Sequence, residues 1–417
     1  MNKSCKKCER EFTIHDRDRE FYEKFQVPPP TFCPSCREQR RLSFRNEKHL
    51  YKRKCDCCGE EIVSIYRPDS PYAVYCADCW WSDAWNPLKF GLEFDFSRGF
   101  FEQFGELLRA VPRLALINRN STNSEYTNIC EQNKNCYLLV ESSNNEDCYH
   151  GYWLQKCENC TDCAYCNSCT LCLECENCDN CYDLNFSQNC QSCSSSSFLK
   201  NCIGCKDCLG CVNLHQKQYY IFNQPCSKEE YEQKIKLPRE ELEAEFKKFC
   251  TSEPQKHAEI IKSEECIGTH IKNSKDCFFC FHAESAEHCR YARHVWRNSK
   301  FVMDSDTVGM NSELAYECIN TAINSYNNRF CSRCWTVSDC CYSNECDNSN
   351  HLFGCIGLNR YKYCILNKQY SKEEYEKLMA RIIEHMTGTG EWGEFFPAQL
   401  SPFDYEESAA SEFYPLK

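Results

Sequence analysis

Three features of the 417-residue sequence predict a mainly β chain: two N-terminal zinc ribbons followed by two copies of a Cys-rich β-solenoid-like repeat, each ending in a short helix. Near the N-terminus, Cys-x2-Cys pairs come in two sets, Cys5/Cys8 with Cys33/Cys36 and Cys55/Cys58 with Cys76/Cys79. From Cys130 to Cys226 every cysteine stands in one and the same one-in-three frame, and nine follow without a break from Cys157 to Cys181. The text between about 119 and 386 then repeats itself once.

Composition narrows the setting. The chain has 41 cysteines, a density that in a short secreted protein reads as a disulfide scaffold. Here the number is odd and the start, Met1-Asn-Lys-Ser-Cys5-Lys-Lys-Cys8, carries no apolar signal core. The paired knuckles also need free thiolates, so a reducing cytoplasm is expected. No stretch approaches the roughly 20 apolar residues of a membrane span. A net charge of −12 argues against a general nucleic-acid binder, although residues 1–60 hold 15 Lys/Arg against 10 Asp/Glu.

The first unit, residues 1–45, places 24 residues between its two knuckles. Two such knuckles bring four thiolates together as Zn²⁺ prefers, and the metal then lets a very small domain fold without a large core. The alternative is two unrelated cysteine pairs. Cys5-x2-Cys8-x3-Phe12, Glu20-Phe21-Tyr22, the prolines at Pro28 to Pro30 and Cys33-Pro34-Ser35-Cys36-Arg37 resemble the probable zinc-ribbon domain family of bacterial proteins. That resemblance covers about 35 residues and implies zinc ligation by Cys5, Cys8, Cys33 and Cys36, with no catalysis.

A basic segment follows, with Arg37, Arg40, Arg41, Arg45, Lys48, Lys52, Arg53 and Lys54 opposed only by Glu38 and Glu47. It reads either as the solvated face of a short linking helix or as an arm that contacts phosphates.

The second unit, residues 50–118, has 17 residues between Cys58 and Cys76, within zinc-ribbon spacing. Cys57 is a spare thiol that competes with its neighbours for a place in the set. Tyr66, Tyr72, Val74 and Tyr75 suit a hairpin turned at Pro68-Asp69-Ser70-Pro71. Ser97 is the expected cap of a helix with Phe100, Phe101, Phe104, Leu107, Leu108 and Val111 on one face, stopped by Pro112 and packed on the ribbon.

The internal repeat defines copies at about 119–250 and 263–386. Cys190 and Cys193 align with Cys331 and Cys334, and after a three-residue insertion Cys202 and Cys211 align with Cys346 and Cys355. Asn223 and Ser227 to Tyr231 match Asn367 and Ser371 to Tyr375, so each copy ends in a helix with a capping box, Ser227/Glu230 and Ser371/Glu374. Pro238 splits the first of these helices, and the second runs to about Met386.

A period of three fits neither a strand, which alternates, nor a helix built from Asn, Asp, Ser and Cys. A solenoid fits, and columns such as Cys157, Cys175, Cys193 and Cys211 suggest a coil of 18 residues. Three uses of the thiols compete: an iron–sulfur or polymetal cluster, an oxidisable ladder, and packing of small buried side chains. In the second copy the positions matching Cys157 to Cys181 include Phe301, Met310, Ile319 and Ala322, which favours packing. Asp304 and Glu313 also fall in that set, so the coils around them should be the most irregular, with these side chains turned outward.

The tail, 387–417, is acidic and aromatic and shows no periodicity. Taken with the ribbons, Trp80-Trp81-Ser82-Asp83 and the cysteine-rich middle, its Glu391-Trp-Gly-Glu-Phe-Phe396 text resembles zinc-ribbon proteins of candidate-phylum bacteria. Members of that family are sometimes labelled CaiB/BaiF, a CoA-transferase name that nothing in these residues supports. No Gly-rich phosphate loop or nucleophile elbow is present. The expectation is a non-enzymatic scaffold that carries two structural Zn²⁺ ions and binds a protein partner. The alternatives are a nucleic-acid-associated protein using Arg37 to Lys54, and an iron–sulfur or polymetal-thiolate protein.

Overall fold

The computed structural model describes residues 1–152, 182–256 and 299–416 apart from 305, 307–308, 318 and 320–322, together with 260–264, 266, 271–272 and 290. The run from Cys157 to Cys181 lies outside the described residues.

One backbone unit of three residues builds the solenoid. Its middle residue is left-handed, as at Asn189, Ser192, Asn201, Asp207 and Asn213, with Gly204 and Gly210 filling the same role. The residue before it pairs with a neighbouring coil, and the residue after it, such as Cys190, Cys202, Cys205, Cys208 or Cys211, is fully buried inside. Left-handed backbone suits Gly and Asn best, because their side chains avoid or offset the clash with the following carbonyl. That is the backbone that points every third residue inward.

The coil holds twelve residues, not eighteen. Tyr182 pairs in parallel with Ser194, Ser194 with Lys206, and Lys206 with Gln218. Four three-residue units therefore complete a turn, and residues 18 apart sit half a turn out of step on different sides of the tube. The corners are tied along the axis by side-chain amides: Asn189 donates to Asn201 and Asn201 to Asn213, both at 3.2 Å.

Inside, each thiol links successive coils. Cys202 Sγ donates to the Lys200 carbonyl at 3.5 Å and to the Cys211 carbonyl at 3.4 Å; Cys346 repeats this with Asn344 and Cys355. Serine substitutes because its hydroxyl does the same work, Ser196 donating to Ser194 O at 2.8 Å and accepting from Cys208 N at 3.0 Å. Burial pushes the Cys334, Cys340 and Cys355 thiols well above their ordinary value, so they stay neutral donors. Among the described residues the interior cysteines thus pack and bridge coils, the use favoured above.

Both solenoid stretches close with one device. The last parallel strand, Gln218–Ile221 or Lys362–Ile365, folds back onto a two-residue antiparallel strand. Asn223 brackets Val212 N–H and C=O at 2.9 and 3.0 Å, and Asn367 brackets Ile356 at 2.8 and 2.8 Å, so an amide side chain stands in for the next coil. An edge that would otherwise recruit another strand is satisfied.

Eight α-helices are described: α1 (Asp16–Phe25), α2 (Pro34–Leu42), α3 (Ala77–Trp81), α4 (Phe100–Ala110), α5 (Lys228–Lys234), α6 (Arg239–Ser252), α7 (Lys372–Thr389) and α8 (Ala409–Phe413). Helices α5 and α7 start with the expected capping boxes, and Pro238 separates α5 from α6. Two expectations for 50–118 are corrected. Tyr66 to Tyr75 forms no hairpin: Glu61–Ser64 pairs with Tyr51–Lys54, and Val74–Tyr75 pairs in parallel with Arg113–Leu114. Ser97 does not cap α4, because it bonds Asp95. Glu391 of the tail receives the Phe100 and Phe101 N–H groups at 2.9 Å each.

The aromatic stripe of α4 also packs elsewhere than on the ribbon. Phe100 lies 5.1 Å from Tyr342 and 5.4 Å from Phe353 of the second solenoid stretch, and Phe104 stacks on Phe396 of the tail at 4.8 Å. The molecule therefore has a thin thiol core inside each solenoid stretch and a large aromatic core outside the second one, where α1, α4, α7 and the tail meet.

Candidate metal centres

Two local turns and two helix starts bring the predicted ligands together. At Cys5 and Cys55 the knuckle closes in the same way, with Glu9 N donating to Cys5 O and Gly59 N to Cys55 O, both at 2.9 Å. Glu9 and Gly59 take the left-handed conformation this turn requires. The second knuckle of each set starts a helix: Cys33 is the N-cap of α2 and Cys76 that of α3, which puts Cys36 and Cys79 in the first turn.

The sulfurs of Cys5, Cys8, Cys33 and Cys36 all lie within 4.8 Å of one another, as do those of Cys55, Cys58, Cys76 and Cys79. Cys8 and Cys33 are 3.8 Å apart and Cys58 and Cys76 3.9 Å, close to the spacing of thiolates around a tetrahedral ion with bonds of ~2.3 Å. Cys57 is exposed and stays outside the four-sulfur group.

Electrostatics fit anionic sulfur. Cys33 N donates to Cys5 Sγ at 3.2 Å, and Cys76 N to Cys55 Sγ at 3.3 Å. Arg10 Nε donates to Cys8 Sγ at 3.4 Å and brings that thiol down to about 6. Burial pushes Cys55 up, but backbone N–H groups of Cys58, Cys76 and Cys57 outweigh it and leave the thiol at about 6. Cys5, Cys8 and Cys55 thus lean towards thiolate, while burial pushes Cys33, Cys36 and Cys76 up and the neighbouring Cys76 sulfur pushes Cys79 up; neither group holds a competing carboxylate or imidazole. The donor set suits a thiophilic, tetrahedral cation. The first centre is the more enclosed, with only Cys8 partly exposed, whereas Cys58 of the second is exposed.

The basic segment matches neither the solvated-face nor the phosphate-arm reading at four of its five arginines. Arg37, Arg40, Arg41 and Arg45 are all buried. Arg37 pairs with Asp304, Arg40 with Glu317 at 3.2 Å and Glu394 at 3.1 Å, and Arg41 with Asp306 at 3.3 Å. The coils that supply these carboxylates are the irregular ones: Lys300 pairs with Glu313 and Glu313 with Tyr326, thirteen residues per turn, before twelve resumes at Ser338. Asp304 does leave the solenoid interior, as expected, but it turns into the α2 interface rather than into water. Glu313 is half-buried at the start of a strand. Only charge complementarity between segments 267 residues apart carried this signal, and neither segment shows it alone.

A second cluster sets one guanidinium, Arg45, against two carboxylates, Glu47 and Glu141. Burial, helped by the neighbouring Glu141 and Glu412 carboxylates, pushes the Glu47 carboxyl up to about 7 against the pull of Arg45. The folded chain therefore holds a proton that the unfolded chain releases near its ordinary 4.5. Stability from this group is present below that value and is lost as pH rises towards 7. Urea midpoints should fall between pH 5 and pH 8, and Glu47→Gln should flatten that fall by at most about 3 kcal/mol. An unchanged slope would show that Glu47 is already ionised.

No helix among the described residues is long and apolar enough to cross a membrane. No protein-family model and no curated protein matches the chain.

Proposed function

We propose that this is a non-enzymatic, zinc-binding scaffold of the cytoplasm. Cys5, Cys8, Cys33 and Cys36 hold one structural Zn²⁺, and Cys55, Cys58, Cys76 and Cys79 hold a second. The two four-sulfur groups carry the reading: they contain thiolate ligands only and leave no open position for substrate, the composition of structural rather than catalytic zinc sites. The solenoid adds a long, regular face on which a protein partner can dock. The nucleic-acid reading retains Lys48, Lys52 and Lys54 as its exposed cations, since Arg37, Arg40, Arg41 and Arg45 are buried and Arg53 pairs with Asp56.

Elemental analysis of the purified chain should give about two zinc per chain, the sum of two four-thiolate sites. An anaerobic preparation should be colourless. Less than one zinc, or a visible chromophore from an iron–sulfur cluster, overturns the assignment.

A further inference from the structure

Helix α2 joins two features that the sequence keeps apart. Its N-cap and third residue, Cys33 and Cys36, belong to the first thiol centre, and the next residue, Arg37, opens the buried ion cluster. Arg37, Arg40 and Arg41 lie at i, i+3 and i+4 and so share one face of the helix. That face meets Asp304, Asp306 and Glu317 with side chains 2 % exposed or less on Arg37, Arg41 and all three carboxylates. We propose that the first centre is a metal-held clasp: the bound ion keeps α2 docked on the two thirteen-residue coils, and loss of the ion frees α2 while the solenoid stays folded. The proposal rests on the reading of Cys5, Cys8, Cys33 and Cys36 as a metal centre.

Three observations support a clasp rather than a uniform contribution to stability. Helix α2 has nine residues, too few to persist alone in water, so its first turn depends on the two ligands that anchor it. The interface is ionic and incompletely bonded: Arg40 Nε, Asp304 Oδ1 and Asp306 Oδ1 make no hydrogen bond. Desolvated pairs of this kind stand close to balance with their hydrated, separated state, so a modest loss of positioning tips them open. The coils beneath are held independently by their own ladder, from Lys300 through Glu313 to Tyr326 and on to Ser338. Loss of the helix therefore uncovers a carboxylate patch without removing a coil.

The buried arginines provide the readout, because trypsin cuts after them only when α2 is released. The full-length, metal-loaded chain would be compared with Cys8→Ser, which alters the partly exposed ligand, and with Cys58→Ser at the second centre. Cleavage after Arg333, inside the coils, reports solenoid opening. Cys8→Ser should lose one metal ion per chain and raise cleavage after Arg37, Arg40 and Arg41 about tenfold or more, since proteolysis follows the population of the open form. Cleavage after Arg333, and all cleavage in α2 of Cys58→Ser, should change by less than about twofold. A chain that loses the metal while α2 stays protected, or in which Arg333 is cut equally fast, overturns the clasp. A second variant, Asp304→Asn, should keep its metal and leave cleavage in α2 within about twofold of the parent chain, because the ion still holds the helix; release of α2 with the metal retained also overturns the clasp. A purified chain with no metal at all overturns the reading of the centre itself, a result that elemental analysis separates from the others.

Discussion

Replacing Asp304 with alanine should lower the free energy of unfolding by about 3–5 kcal/mol, towards the lower end because Arg37 keeps Glu317 at 3.8 Å. Asp304 is fully buried, accepts from Arg37 and lies within 4.0 Å of Arg41. Its removal strands cationic groups in a dry interface, and the cost is that of an unneutralised buried charge rather than of one lost contact. The paired change Arg37→Met with Asp304→Leu removes both charges and should recover most of the loss, since apolar replacements of buried pairs are often neutral or better. Urea midpoints of the two single variants and the double variant, at equal metal content, make the test. A single-variant loss below about 1 kcal/mol would place the pair in water, where such interactions are weak.

The parts of this molecule that the sequence displays openly are those set by local spacing. A Cys-x2-Cys pair is a turn, a second pair completes a four-sulfur group, and the eight candidate ligands can be named because each knuckle needs only its own few residues. The capping boxes at Ser227 and Ser371 are legible for the same reason. The solenoid is legible as a class but not in its pitch. When nearly every third residue is cysteine, any multiple of three generates a cysteine column, so columns at 18 carry no more information than columns at 12. A better signal stood beside them: Asn123, Asn135 and Asp147, and Asn189, Asn201 and Asn213, recur every twelve residues. Those are the corner residues whose amides meet along the axis.

Tertiary pairings stayed hidden. The cap of α4 comes from Glu391, nearly 300 residues away, so Ser97, a local candidate, drew the assignment instead. The arginines of α2 read as solvated because burial of a charge depends on a partner, and their partners lie on coils that only folding brings near. The acidic, aromatic tail lacked periodicity because its only α-helix is the five-residue α8; around Glu391 to Phe396 it is a strap whose Trp392, Phe395 and Phe396 complete a core begun elsewhere.

That core turns on Tyr342, and its truncation should be the most damaging single change outside the ion cluster. The ring is fully buried, stacks on Phe330 at 4.8 Å and 16°, and lies within 6.0 Å of Phe100, Phe101, Phe353, Trp392 and Phe396. One side chain therefore joins the solenoid, α4 and the tail. Tyr342→Ala should cost about 3–5 kcal/mol, the range for emptying an aromatic site in a tight core. Tyr342→Phe separates packing from polarity. The Gly393 N–H donates to the Tyr342 hydroxyl at 3.1 Å, and without that oxygen a buried donor is left unsatisfied. The phenylalanine variant should therefore lose about 1–3 kcal/mol. Its loss should appear as faster exchange of the tail amides around Gly393, with the coils unaffected, whereas the alanine variant should loosen α4 as well. A phenylalanine variant whose tail amides exchange as in the parent chain would mean that the hydroxyl contributes nothing and that the tail is held by ring packing alone.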